Sequence, residues 1–307
     1  MLNEIQKHIL EVVAGMKDGE AKGAVNIRSD GKKEYRTNSE HITIESKADR
    51  DGIDIRVAPG TKGEQVHIPV VLTESGFQDR VYNDFFIGEG ADVTIVAGCG
   101  IHNCGDCDSR HDGIHTFYVG KHAHVVYVEK HYGEGDGAGK RILNPQTILY
   151  LEEGASVTLE TSQIKGVDDT KRYTKAVLGK GAEIVIQEKL LTHGTQQAES
   201  EMDVFLNGEG ARTRVVSRSV AQDDSVQIFY PRVEGNCPCF GHVSCDAIIM
   251  GKAKVRAIPE ITCNHVDAGL IHEAAIGKIA GEQILKLMTL GLTAEQAEEK
   301  ILEGFLR

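Results

Sequence analysis

Apolar positions along the chain follow two periods. Leu2, Ile5, Ile9, Val12, Val13 and Met16 share one helical face, which predicts a short amphipathic helix ending near Asp18-Gly19. From there to about residue 260, apolar residues alternate with polar ones, as in strands with one buried face. The period changes again near the C-terminus. Residues 267–290 read as a long helix, with Gly291 as its stop. Thr293-Ala-Glu-Gln296 then forms a capping box for a second helix carrying Ala297, Ile301 and Phe305 on one side. The expected organisation is an N-terminal helix over 1–19, a strand region over 20–265 and a C-terminal helical segment over 266–307.

The strand region repeats one phrase. Gly88-Glu-Gly-Ala-Asp-Val-Thr-Ile-Val returns as Gly120-Lys-His-Ala-His-Val-Val-Tyr-Val and Glu152-Glu-Gly-Ala-Ser-Val-Thr-Leu. It returns twice more as Gly179-Lys-Gly-Ala-Glu-Ile-Val-Ile and Gly208-Glu-Gly-Ala-Arg-Thr-Arg-Val. The aligned alanines, Ala91, Ala123, Ala155, Ala182 and Ala211, are 32, 32, 27 and 29 residues apart. A weaker copy begins at Gly251, with Ala253, Val255 and Ala257 alternating. Each unit is a glycine turn followed by a strand. Glycine admits the corner's positive φ, and alanine fits where layers crowd. Recurrence at about 30 residues predicts a mainly β fold, a stacked β-solenoid. The alternative is a run of ordinary hairpins from a sandwich.

Composition narrows the function. The 307 residues carry a formal charge of -12, which argues against a nucleic-acid or anionic-membrane binder. No apolar run approaches the roughly 18–20 residues of a membrane span. Glu4, Lys7 and Glu11 interrupt the N-terminal apolar pattern, so no signal peptide is expected and the compartment reads as cytoplasmic. Seven Cys and 13 His in such a chain point to metal or sulfur chemistry rather than disulfides.

Two constellations could carry that chemistry. Cys99, Cys104 and Cys107, followed by His111, His115, His122, His124 and His131, offer thiolates and imidazoles suited to zinc or iron. Their spacing matches the first three ligands of plant-type ferredoxins, but the next cysteine is Cys237. The bland alternative is a solenoid with small Cys and surface His at alternate positions. The second constellation is Cys237-Pro-Cys239, Cys245, Cys263 and His272-Glu273. No pair there has zinc-knuckle spacing. On the expected helix, His272 and Glu273 point about 100° apart, so one face rarely presents both to one metal. Gly133-Glu-Gly-Asp-Gly-Ala-Gly-Lys140 fails the phosphate-loop pattern and reads as a flexible loop. No other nucleotide motif appears, so any use of ATP must come through a partner.

Three C-terminal stretches carry a resemblance: Gly241-His-Val-Ser-Cys-Asp-Ala-Ile-Ile-Met-Gly, Pro259-Glu-Ile and His272-Glu-Ala-Ala-Ile-Gly-Lys-Ile-Ala-Gly-Glu-Gln-Ile. With Gly291-Leu-Thr-Ala-Glu-Gln-Ala, Lys140-Arg-Ile-Leu-Asn-Pro145 and Ser217-Arg-Ser-Val, the chain resembles the SufB/SufD family. These are scaffold subunits of the SUF iron–sulfur cluster assembly system, and this chain looks like the short, minimal-system type. The resemblance implies a right-handed parallel β-helix with a C-terminal helical segment. It implies a non-enzymatic scaffold, usually a homodimer, on which a transient cluster is built. Its partner would be a SufC-type ABC ATPase docked on the C-terminal helices, with a sulfur donor and apo-protein acceptors around it. Cys245 matches the family's C-terminal functional cysteine, Glu273 a proposed neighbouring ligand and His272 the adjacent His.

The longer members' N-terminal helical region is missing here, so their sulfur-accepting cysteine is not carried over. Cys99, Cys104 and Cys107 are candidates for sulfur uptake or a second thiol site, and Cys237 and Cys239 are candidate neighbours of the cluster. Alternatives from other classes are a β-helical carbohydrate-active enzyme, poorly served by 5% aromatics and no Trp, and a cluster-free adaptor for an ABC ATPase.

Overall fold

The computed structural model describes residues 2–17 and 21–306. Each copy of the repeated phrase closes a tight turn. The Ala91 amide donates to the Gly88 carbonyl (3.2 Å), and Ala123, Ala155, Ala182 and Ala211 repeat that bond in their own copies. The third position of the phrase needs left-handed backbone. Gly90, Gly154, Gly181 and Gly210 supply it at no steric cost, and His122 adopts it at φ 56°. The Gly90 amide then donates to Lys121 of the next layer, as His122 does to Glu153 and Gly154 to Lys180. The five alanines are fully buried, because successive coils stack at strand spacing and leave room for one methyl.

Two long sheets follow from this stacking. One runs through Lys62–His67, Asp92–His102, His124–Glu134, Ser156–Lys165, Glu183–Thr192, Arg212–Ala221, Cys239–Ile249 and Ala268–Gly277. The other runs through Gly52–Val57, Gln78–Ile87, Ser109–Val119, Gln146–Leu151, Asp169–Leu178, Gln197–Leu206, Val226–Gly235 and Lys254–Ala257. Each coil gives one strand to each sheet, and the pairs along both runs are parallel. Hairpins from a sandwich would be antiparallel. The fold is a parallel β-solenoid of about 8 turns, with antiparallel pairs at its first end. Val, Ile and Leu fill the space between the sheets, with Phe85 stacked on Phe117 at 4.1 Å.

Helix α1 (Glu4–Ala14) packs on the outside of the first sheet. Asn3 and Gln6 form its capping box, and Gly15 ends it in left-handed conformation. The helix thus stops before the expected end at Asp18-Gly19, which lies outside the described residues. Its seat is made by two glycines: a Cβ on Gly98 would lie 2.5 Å from the Val13 carbonyl oxygen, and one on Gly100 would lie 2.1 Å from Ile9.

Two expectations need correction. The first half of the expected helix over 267–290 is the strand Ala268–Gly277, paired in parallel with Cys239–Ile249. That open sheet edge outweighs local helix preference, which Gly269 and Gly277 already weaken. The helical segment therefore begins at α2 (Gly281–Met288), continues in α3 (Ala294–Phe305), and leaves the solenoid running to Gly277. The Gly251 copy belongs to the opposite corner of the coil, in line with Gln222–Ser225, where the Ser225 and Ala253 amides close equivalent turns. The alanine column itself continues through Cys239 and Ala268. Among the described residues, no helix is long and apolar enough to cross a membrane.

Candidate functional site

The last two strands of the first sheet bring Cys245 and His272 together. Cys245 lies opposite Ala274, and His272 opposite Val243, so both occupy the inward parity of their strands. Cys245 Sγ is 3.4 Å from His272 Nε2. Burial pushes the thiol up to about 12, helped by the charges of Glu188 and Asp246, and burial also lowers the His272 imidazole. At neutral pH the pair is therefore a thiol facing a neutral imidazole, two soft donors once a metal displaces the thiol proton. Glu273 takes the opposite parity. Its Oε1 lies 3.1 Å from His242 Nε2 on the outer face, and its side chain is 63% exposed. One chain thus brings His272 to Cys245 and turns Glu273 away. The reason is strand alternation rather than the 100° step of a helix.

The upstream thiols divide across the wall. Cys99 points inward from Asp92–His102 and is buried. Cys104 and Cys107 lie on the exposed loop that follows. They do not share one site with Cys99, and among the described residues no group of three His, Cys, Asp or Glu side chains is gathered to hold a metal ion. The ferredoxin-like spacing has no counterpart in space.

Cys99 instead sits in a buried ionic cluster. His131 is its cross-strand neighbour, and His111 approaches from the facing sheet. Burial raises the thiol, but attraction to His111 and His131 outweighs it and brings Cys99 down to about 7. Burial lowers His111, yet Cys99 and Asp79 together lift it to about 10. Asp79, held by His111 (3.0 Å) and Arg28 (2.9 Å), falls to about 2 despite its burial. His115 takes another role, its Nδ1 2.6 Å from the Tyr127 hydroxyl, with burial pulling its pKa down to about 4. His122 is a corner residue, and His124 is exposed beside Ser156.

A file of polar side chains runs inside the solenoid from this cluster toward Cys245. Register stacks Glu129, Thr161, Glu188, Ser217 and Cys245 in one inward column of consecutive strands. From the facing sheet, Arg172 pairs with Glu129, reaches His131 Nδ1 (3.2 Å) and lies 3.9 Å from Glu188. Glu188 accepts from Ser200 (2.7 Å) and Ser217 (3.0 Å). Among the described residues, the buried Thr161 Oγ1 in this column has no hydrogen-bond partner. Sequence reasoning missed Glu129, Arg172 and Glu188. The available signal was parity: Val125, Tyr127, Glu129 and His131 share the inward face, so a charge at position 129 was marked as buried.

The remaining thiols have a different setting. Cys239 occupies the alanine column and is one of three neighbouring thiols with Cys237 and Cys263; burial raises its pKa, opposed by a backbone hydrogen bond at Cys237 and aided by the charges of the other two thiols. Cys237 Sγ lies 3.3 Å from the Leu206 carbonyl oxygen, and Cys263 is exposed. Both Cys237 and Cys239 pack at the corner of the coil, whereas Cys245 lies mid-strand.

The glycine run 133–139 is not a free loop. A Cβ on Gly135, Gly137 or Gly139 would fall within 2.3 Å of a backbone oxygen of Asn103, Gly105 or Cys107. The Gly137 and Gly139 amides donate to the Asn103 and Gly105 carbonyls (3.2 and 2.9 Å). These glycines form a bed on which the Cys104–Cys107 loop lies, backbone on backbone.

Comparison with known proteins agrees with the fold and with the resemblance. The family model described as "SUF system FeS cluster assembly, SufBD core domain" matches residues 73–305. An iron-sulfur cluster assembly SufBD family protein of Archaeoglobus fulgidus is 28% identical over 263 residues, covering 84% of this chain and 69% of the relative. One from Methanocaldococcus jannaschii is 27% identical, covering 78% and 76%. A chloroplastic SufBD family protein of Arabidopsis thaliana is 27% identical over 71% of this chain but only 41% of its own length. With the SufBD core matched from the second coil to α3, this chain belongs to the SufBD family of the SUF iron–sulfur cluster assembly system.

Proposed function

We propose that this chain is a scaffold on which an iron–sulfur cluster is assembled and from which it is released, without enzymatic activity of its own. One observation carries the reading: Cys245 and His272 meet at the open last turn of the solenoid, where the internal polar file ends. A thiolate binds iron firmly, and an imidazole more weakly, so such a pair suits a cluster that must leave. The high pKa of Cys245 favours release too, because the thiolate is reprotonated as soon as iron departs.

Two ligands are too few for a cluster. The rest of the set would come from a second copy meeting the last coil, which carries exposed Ile258, Ile261, Val266 and Ile271. In that homodimer the outward Glu273 could serve the interface. The SufC-type ABC ATPase would dock on α2 and α3, where Leu285, Met288 and Leu290 are exposed, and its nucleotide cycle would shift the scaffold between closed and open arrangements. Cys99, which His111 and His131 draw toward its thiolate form despite burial, is the best internal candidate for handling sulfur on its way in. We place the complex in the cytoplasm, with a sulfur donor and apo-protein acceptors as its other partners.

The carbohydrate-active alternative has one feature in its favour, a surface ladder of Phe86, Tyr118 and Tyr150 along a groove of about 630 Å³. Arg56 lies across the Phe86 ring at 4.3 Å, so a cation and not a sugar already covers the first platform. Anaerobic reconstitution with iron and sulfide tests the scaffold reading. The wild type should develop charge-transfer absorption, and Cys245→Ala should lose most of it. Colourless wild-type protein, or an unaffected variant, would contradict the assignment.

A further inference from the structure

We infer that the first end of the solenoid carries a binding site for a single phosphate group, free or at the terminus of a small monoester, held by Arg36, Lys33 and Arg28. The site begins with a β-bulge. The strands Ala24–Ser29 and Lys32–Thr37 pair antiparallel, with Asn26 opposite Arg36 and Arg28 opposite Lys33, and the register shifts between the two pairs. Lys33 and Arg36 are three residues apart, so on a regular strand they would point to opposite faces. The extra residue, Glu34, brings both onto the face of Asn26 and Arg28. That face lines a pocket of about 120 Å³, whose other cations are Lys47 and Arg50 and whose single carboxylate is Asp51.

Three of these five cations are already matched. Arg28 is held by Asp79 (2.9 Å), with Asp51 at 3.9 Å. Lys47 donates to Asp54 and to Asp84 (2.7 Å), and Arg50 has Asp49 at 3.4 Å while lying 4.8 Å from the Tyr82 ring centre. Among the described residues, Lys33 and Arg36 have no carboxylate within ion-pair reach. Arg36 is fixed all the same. Its Nε donates to Asn26 Oδ1 (2.8 Å) and its Nη1 to Ser46 Oγ (2.9 Å), two neutral groups that orient the guanidinium without neutralising it. Burial alone shifts its pKa, downward. Lys33 stands directly across from Arg28, and a like-charge pair in that position costs stability unless an anion joins it. In a chain of net charge -12, two unmatched cations are thus kept together in a concavity.

Charge and shape choose the anion. Near neutrality a phosphate monoester carries about -1.5 to -2, which matches the two unmatched cations, whereas a carboxylate would leave one over. With Nε and Nη1 tied to Asn26 and Ser46, Arg36 keeps Nη2 to donate to the oxygens of a tetrahedral oxyanion, the geometry for which a guanidinium is suited. The pocket admits one such group. A polynucleotide would need a track of cations, and the acidic surroundings offer none. The site lies at the opposite end of the first sheet from Cys245.

The test is equilibrium dialysis of the full chain against inorganic phosphate and, separately, against glycerol 3-phosphate, with chloride fixing the ionic strength. Wild-type protein should take up one phosphate group per chain. Lys33→Gln and Arg36→Gln should each weaken uptake roughly tenfold or more, the loss expected for one charge-assisted contact. Lys254→Gln, at the far end of the solenoid, should leave it unchanged. Lys33 is exposed, so its variant keeps the fold even where Arg36→Gln, which gives up two internal hydrogen bonds, does not. Tighter binding of glycerol 3-phosphate marks the terminus of a monoester as the ligand, and tighter binding of inorganic phosphate marks the free ion; both support the site. No uptake of either probe at millimolar concentration would overturn it. So would uptake that Lys33→Gln and Arg36→Gln leave unaltered, or that Lys254→Gln weakens equally. No readout involves iron or sulfide, so the outcome is separate from that of the scaffold reading.

Discussion

Cys99 and Cys245 are both buried thiols on inward positions of one sheet, yet their surroundings drive them apart. Two imidazoles bring Cys99 to about 7, whereas burial beside Glu188 and Asp246 lifts Cys245 to about 12. The same file of residues thus begins at a thiol drawn toward ionisation by its imidazole neighbours and ends at one that keeps its proton at neutral pH. At the first end, Asp79 anchors the cluster, and its effect on stability can be measured. Its carboxyl falls from 3.8 to about 2 on folding, so the folded protein binds fewer protons than the unfolded chain between those values. Its contribution is therefore present above about pH 4 and lost as the pH falls toward 2, a change of about 2 kcal/mol. Urea unfolding across that range should show wild-type protein losing this increment, while Asp79→Asn lacks it throughout. Identical pH slopes would show that Asp79 is not held as described.

At the scale of elements, glycine placement determines what can touch what. Gly98 and Gly100 let α1 lie flat on the sheet, and Gly135, Gly137 and Gly139 let the cysteine loop do the same. Gly100→Val should push α1 off its seat, destabilising the protein by about 1–3 kcal/mol through overpacking. Limited proteolysis should then release the N-terminal segment, and an unchanged cleavage pattern would contradict the packing. The solenoid was legible in the sequence because its corners reuse one phrase with a fixed glycine and alanine, and the capping box of α3 was legible because it is local. The strand Ala268–Gly277 was not legible. Its apolar residues also satisfy a helical pattern, and what decides between the two is a sheet edge contributed by residues 239–249. The glycine run misled for the same reason: its partner, the 103–107 loop, lies some 30 residues away in sequence. The Cys245–His272 pair was reached from the family motif, and the parity that separates Glu273 from it became visible only with the strand.

Over the whole molecule, the solenoid has two different ends. The first ends in antiparallel strands, with α1 lying on the outer face of the first sheet nearby. The last ends on the strand Ala268–Gly277, whose far edge is unpaired among the described residues, with exposed apolar residues on the last coil and the helical pair α2–α3 following in sequence. The polar file runs through the interior from the buried Cys99 cluster to Cys245. The scaffold reading proposed above draws on that asymmetry: it assigns the labile cluster to the Cys245 end of the interior file. The central claim is that Cys245 and His272 jointly hold the cluster. Its most direct test is pulsed electron paramagnetic resonance on the reconstituted, reduced protein. We expect a directly coupled imidazole nitrogen that disappears in His272→Ala, and no such cluster in Cys245→Ala. A cluster with sulfur ligands alone, or one whose spectrum is unchanged in Cys245→Ala, would contradict the account.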